Sequence, residues 1–280
     1  MRVGVHVRIA KGLESAIVKA ESLGCEAIQI FSSNPNSWQV STLSPVTADA
    51  FKDGAARLGL RPVVLHTPYL LNLASPKEDI WKASRGALAL ALDRAKAVGG
   101  DYVVTHIGSH SGSGYEFGAD RVAEAVSFAL DKSNSSAMVL LEAGSGSGNT
   151  IGSTLEQLAG LIERLSDREA RVGVCLDTAH LWGAGYDISS KEGVDSLLSQ
   201  FDELIGLRRL RVFHLNDTLK ELGSHLDRHW HIGKGKVGIE GFRAILNHPA
   251  LDDIGGIIET PESELGFDRK NLDRLKELRD

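Results

Sequence analysis

The run Leu210-Arg211-Val212-Phe213 stops at His214, and the polar loop after it carries Asp227 and His229 two positions apart. Imidazole nitrogen and carboxylate oxygen together suit zinc and its first-row neighbours. The same syntax, an apolar run closed by His, Asp or Glu, recurs at His66, His106, Glu142, Asp177 and Glu259. His180 follows Asp177 by three residues. That makes nine donor candidates. A catalytic zinc takes about three protein ligands and keeps one position open for water, so nine donors suit two or three ions bridged by carboxylates. Glu142, Asp177, Asp227 and Glu259 would repel one another strongly in one small space without cations between them.

The donors need elements to bring them together. Eight apolar, β-branched-rich runs can be read: Val3–Val7, Ala27–Phe31, Val63–His66, Tyr102–His106, Met138–Glu142, Val172–Asp177, Leu210–His214 and Gly256–Glu259. They alternate with segments of helical spacing: Leu13–Leu23, Thr47–Leu58, Asp79–Val98, Ala119–Leu130, Thr154–Leu165, Val194–Ile205, Ile239–Leu246 and Leu265–Leu278. Eight right-handed βαβ repeats predict an α/β fold, a (β/α)8 TIM barrel, with the whole chain, 1–280, as one domain. A doubly wound open sheet is the competing architecture. In a barrel, six of the donors end strands at the C-terminal rim, where barrel chemistry sits.

Composition agrees with this reading. With 280 residues, 42% hydrophobic and 24% charged, the chain can bury a sizeable core, and no apolar stretch is long enough for a membrane span. Cys25 and Cys175 lie far apart in apolar surroundings, which predicts buried free thiols and a reducing cytoplasm. The formal charge of -6 argues against nucleic acid unless the acidic side chains bind cations.

The segments His66-Thr67-Pro68-Tyr69-Leu70-Leu71-Asn72-Leu73, His106-Ile107-Gly108-Ser109-His110, Asp177-Thr178-Ala179-His180, His214-Leu215-Asn216-Asp217, Asp227-Arg228-His229 and Glu259-Thr260-Pro261 resemble endonuclease IV, a family of apurinic/apyrimidinic endonucleases. The likeness runs in order along essentially the whole chain. It implies three Zn2+ ions, one site being open to Mn2+ or Fe2+. His66, His106 and Glu142 would hold the first ion. Glu142 would bridge to a second held by Asp177, His214 and Glu259. The third would sit on His180, Asp227 and His229. Glu142 and Glu259 are then the catalytic carboxylates, Glu259 orienting the attacking hydroxide.

The implied reaction is hydrolysis of the phosphodiester 5′ to an abasic site in double-stranded DNA, leaving a 3′-hydroxyl, with removal of 3′-blocking groups as a second activity. A monomer is expected. About six added positive charges would offset the formal -6. The resemblance also places Tyr69 and Leu70 as wedges into the gap left by the missing base; packing of the barrel rim is the plainer reading of the pair.

The chain departs from the family in places. Asn36 stands where the family usually has a DNA-inserting Arg, and Arg8 and Lys11 where it generally has small residues. These two cations are candidate phosphate contacts, as are Arg228 and the lysines of Gly233-Lys234-Gly235-Lys236. A plain turn is the alternative for that last stretch. Ala143 and Gly144 replace an Asn-Thr pair beside Glu142. Gly144 to Gly148 lacks the Lys-Ser/Thr of a phosphate loop and reads as a turn. His6 is expected to line the pocket floor; His110 and His231 read as supporting or solvated groups, and His225 and His248 carry no signal. The competing function is a divalent-metal sugar isomerase or epimerase on a related barrel, which needs no third donor set.

Overall fold

Apolar runs without polar alternation make strands that are covered on both faces, and eight form here: β1 (Arg2–Val7), β2 (Ala27–Phe31), β3 (Val63–His66), β4 (Tyr102–His106), β5 (Met138–Glu142), β6 (Val172–Asp177), β7 (Leu210–His214) and β8 (Gly255–Ile258). The computed structural model describes residues 1–261 and 266–279. All neighbours pair in parallel, and β1 pairs with β8 through Arg2–Gly255 and Val5–Ile258, so the sheet closes into a barrel and the open-sheet alternative is excluded.

Helices cover the outside: α1 (Leu13–Leu23), α2 (Pro45–Leu58), α3 (Glu78–Val98), α4 (Tyr115–Lys132), α5 (Leu155–Arg164), α6 (Thr178–Ala184), α7 (Lys191–Leu204), α8 (Gly238–Leu246) and α9 (Phe267–Glu277). Three differences from the sequence reading have local causes. Helix α7 starts three residues early because Ser190 accepts from the Gly193 amide and caps a polar first turn that apolar periodicity does not see. Strand β8 ends one residue before Glu259, whose amide donates to Asn216 Oδ1 (2.8 Å) instead of entering the ladder. The seven residues of the short α6 carry too little apolar periodicity to predict a helix. The predicted start of the last helix, Leu265, lies outside the described residues.

Seven side chains, one from each of β2 to β8, fill the barrel interior: Ala27, Val64, Val104, Leu140, Cys175, Val212 and Ile257, all fully buried. Cys25 and Cys175 are separate buried thiols; burial pushes them up to about 11 and about 12. Among the described residues no helix is long and apolar enough to cross a membrane.

Candidate metal centre

Side chains in a strand return to the same face every second residue. Two residues beyond each member of the interior layer stand Gln29, His66, His106, Glu142, Asp177, His214 and Glu259. The alternation that packs the barrel therefore aims seven polar side chains into one cup at its C-terminal end.

Three donor groups form there. His66, His106 and Glu142 bring ligand atoms within 4.8 Å of one another, as do Glu142, Asp177, His214 and Glu259, and again Asp177, His180 and His229. Asp227 joins the last group, with Oδ2 3.2 Å from His180 Nε2 and Oδ1 3.3 Å from His229 Nε2. All nine sequence candidates thus meet. Glu142 sits between groups: its Oε2 faces His66 (3.1 Å) and His106 (3.3 Å), its Oε1 His214 (3.0 Å).

The imidazoles are oriented for a cation. His66 Nδ1 faces the Thr67 carbonyl at 2.7 Å, His180 Nδ1 that of Ala143 at 2.9 Å and His229 Nδ1 that of Glu259 at 3.2 Å. His214 uses Nε2 instead, 2.9 Å from Gln29 Oε1. Carbonyl oxygens only accept, so each of these nitrogens carries a proton and the other ring nitrogen is the one turned to the cup, where a cation would displace any second proton. His180 Nε2 and His229 Nε2 are buried there without a hydrogen-bond partner. A divalent cation satisfies both, and the donor set of imidazoles and carboxylates fits one.

His180 comes from the first turn of α6. Asp177 Oδ1 accepts from the amides of Ala179 (2.7 Å) and His180 (3.0 Å), capping that helix. Its Oδ2 accepts from Asn216 Nδ2 (2.7 Å) and also faces the cup, 3.5 Å from His229 Nε2. One carboxylate thus places its neighbour and serves as a donor itself.

Burial alone would discharge these groups, but their partners outweigh it. Burial opposes charge on His229, yet the negative charges of Asp177 and Asp227 beside it carry it up to about 9. His180 lies well above its ordinary value against the same burial penalty, through Asp177 and Asp227. Glu142 is held well below the usual carboxylate range despite burial, by the fields of His106 and His214. A raised histidine pKa adds stability that is complete below about 6.5 and is lost as pH climbs through the folded value. Metal-free protein is accordingly expected to lose stability from pH 6.5 to 9, by about 1.4 kcal/mol for each tenfold difference in proton affinity between the folded and unfolded chain. Metal-loaded protein is expected to gain over that window, because protons compete for the ligand nitrogens. Melting curves with chelator and with zinc check this; parallel slopes would count against it.

Sequence reasoning missed two supports. Gln29 Nε2 donates to Glu259 Oε1 (2.6 Å) while its Oε1 accepts from His214, and it is fully buried. His6, at the floor as expected, also meets Glu259 Oε1 through Nδ1, at 2.7 Å. The signal for Gln29 was present: a lone amide in the apolar run Ala27–Phe31, on the inward phase. Asn216 is the other, donating to Asp177 Oδ2 (2.7 Å) and accepting from the Glu259 amide. Gln29→Leu strands a buried imidazole nitrogen and frees Glu259, so metal is expected to be lost to a chelator about 10- to 100-fold faster. A release rate equal to wild type, followed with a chromophoric chelator, would reject that role.

Around the mouth, Tyr69 and Leu70 are 56% and 36% exposed. The Tyr69 ring packs edge-on against Phe31 (5.2 Å between centroids) and near His106 (5.9 Å). It separates two clefts. One, about 350 Å3, leads past Leu70 to His106, Glu142, His180 and Asp227. The other, about 600 Å3, is lined by Arg8, Asn36 and Arg94. Lys11 is exposed on the same first loop. Arg228 is exposed and donates to the Asp227 carbonyl (2.7 Å). In the turn at 233–236, Gly235 has no room for a Cβ, which would lie 2.4 Å from Asp217 Oδ1. Its amide (2.9 Å) and that of Val237 (3.0 Å) already donate to the Asp217 carboxylate. Those amides are committed, which leaves the side chains: Lys236 pairs with Glu221 (3.1 Å) and Lys234 lies over Phe267. His231 stacks on Phe267 at 3.9 Å, and His110 Nδ1 accepts from the Gly112 and Gly114 amides.

A barrel with a multi-donor cup at its C-terminal mouth defines a class, and the family model described as xylose isomerase-like TIM barrel matches residues 17–279. A protein named "Probable endonuclease 4" from Methanoculleus marisnigri is 45% identical over 277 residues, covering 99% of this chain and 98% of that one. The crystal structure of endonuclease IV from Thermus thermophilus superposes with a TM-score of 0.88 at 36% identity, over 99% and 98% of the two chains. The chain belongs to the endonuclease IV family. A D-tagatose 3-epimerase-like protein, with a TM-score of 0.74 at 20% identity over 99% and 97%, shares the fold alone.

Proposed function

We infer that this chain is a metal-dependent DNA-repair endonuclease. It hydrolyses the phosphodiester 5′ to an abasic site in double-stranded DNA to leave a 3′-hydroxyl, and clears blocked 3′ ends at the same site. The reading includes three Zn2+ ions on the three donor groups, one replaceable by Mn2+ or Fe2+, and a monomer working in the cytoplasm. The observation that carries it is the third group, His180 and His229 with Asp177 and Asp227 between and beside them. A sugar isomerase working with one or two ions has no use for that group.

Bound divalent ions supply Lewis-acid activation of water and charge stabilisation at the scissile phosphate. The chain's own residues do the rest. Glu142 gives one oxygen to each of two donor groups and fixes their spacing. Glu259 has Oε1 held by His6 and Gln29, so Oε2, 3.2 Å from His214 Nδ1, is the atom free to orient the attacking water. Tyr69 and Leu70 stand in solvent at the entrance, where a nucleotide without a base leaves room for them and turns out of the duplex at lower cost than a normal one. Arg8, Lys11, Arg228, Lys234 and Lys236 supply cations for the flanking phosphates, with Asn36 as a polar contact.

The test is incubation with a duplex oligonucleotide bearing one abasic site, with and without chelator. Cleavage 5′ to the lesion that stops on chelation and returns with zinc is expected. Intact duplex, together with epimerisation of a free ketose, would replace the reading with the isomerase.

A further inference from the structure

At the opposite end of the barrel lies a cleft of about 430 Å3, lined by Met138, Glu169, Ala170, Val172, Arg208, Arg209 and Arg211. Leu140, Cys175 and Val212 of the buried interior layer separate it from the cup. We propose that this cleft is a second binding site, for a phosphate group, independent of the metal centre. Three guanidinium groups share it with one carboxylate. Glu169 pairs with both Arg208 and Arg209. Arg209, only 9% exposed, also donates to the carbonyls of Glu169 (2.8 Å) and Val172 (3.1 Å), which pins its head. Its Nε remains buried with no partner.

Arg211 is the decisive residue. Leu210 pairs with Val174 and Val212 with Cys175, so Arg211 is the extra residue of a bulge in β7 and faces nothing across the ladder. Bulges re-aim a side chain at the expense of regular pairing. Here the side chain joins the cleft, where among the described residues it has no hydrogen bond or ion pair, and its Nε is buried and unpartnered. A half-buried guanidinium without a counter-ion is costly. The planar donor fork fits a phosphate in two-point contact, which a single carboxylate shared by two other arginines does not provide.

The phosphate could belong to a free phosphate ester or to a nucleic-acid backbone, and the test separates the two. Zinc-loaded protein is titrated calorimetrically with adenosine 5′-phosphate and, separately, with a ten-residue oligothymidylate lacking any lesion. Wild type is expected to bind at least one probe with a Kd below about 1 mM. Arg211→Gln is expected to weaken that binding at least tenfold while abasic-site cleavage is unchanged. Loss confined to the nucleotide assigns a free ester; loss confined to the oligomer assigns the backbone. Arg208, 76% exposed, can be changed without cost to the core, and Arg208→Gln is expected to weaken the same probe about threefold. Equal affinities in wild type and both variants, or binding only at tens of millimolar, would overturn the proposal.

Discussion

Glu259→Gln is expected to abolish cleavage of an abasic duplex, by about a thousandfold or more in kcat, which is about 4 kcal/mol of barrier, while the protein stays folded. The substitution is isosteric at a position just beyond β8, where the backbone amide is held by Asn216 rather than by the ladder. Leucine, valine and isoleucine packing below it is untouched. What changes is charge: the imidazoles of His6 and His214, 2.7 and 3.2 Å from the two carboxylate oxygens, lose the anion they face. The glutamine can present oxygen to Gln29 or to the cup, but not a negative charge. Kinetics on the oligonucleotide, metal analysis and a melting curve decide the matter. Near-normal cleavage by a protein with full metal content would show that this carboxylate is not part of the chemistry.

His229→Ala should have the next largest effect. The ring Nε2 is buried without a hydrogen-bond partner and lies between Asp177 and Asp227, at 3.5 and 3.3 Å. Its loss leaves His180 and two carboxylates, too few nitrogen donors to hold an ion against solvent. Metal content is expected to fall by about one ion per chain, and cleavage by about 100-fold or more. The mass-spectrometric metal count separates this from simple misfolding, since the other two groups should keep their ions. An unchanged count with full activity would remove the third group from the reading, and with it the main distinction from an isomerase.

Most of the barrel was legible because parallel strands buried on both faces are written as continuous apolar runs. Six of the eight runs match the observed strands residue for residue. The cup was legible for the same reason: His66, His106, Glu142, Asp177 and His214 each close an apolar run at the C-terminal end of a strand. Supports were harder to see. Gln29 interrupts a run instead of ending it, and only the phase of the neighbouring interior residue Ala27 tells that it points inward. Helix α6 is too short to show periodicity, and its start depends on Asp177 spending one oxygen on backbone amides. The turn at 233–236 has the composition of an anion cradle. Sequence could not reveal that Asp217, 18 residues before Gly235, already occupies the amides of Gly235 and of Val237 just beyond the turn.

The dry plug formed by Ala27, Val64, Val104, Leu140, Cys175, Val212 and Ile257 makes the cup a cul-de-sac. Whatever enters past Tyr69 must turn around and leave by the same door. Traffic is therefore one-way-in, same-way-out: the cut strand has to withdraw before the next arrives, and a slow departure would throttle turnover however fast the bond is broken.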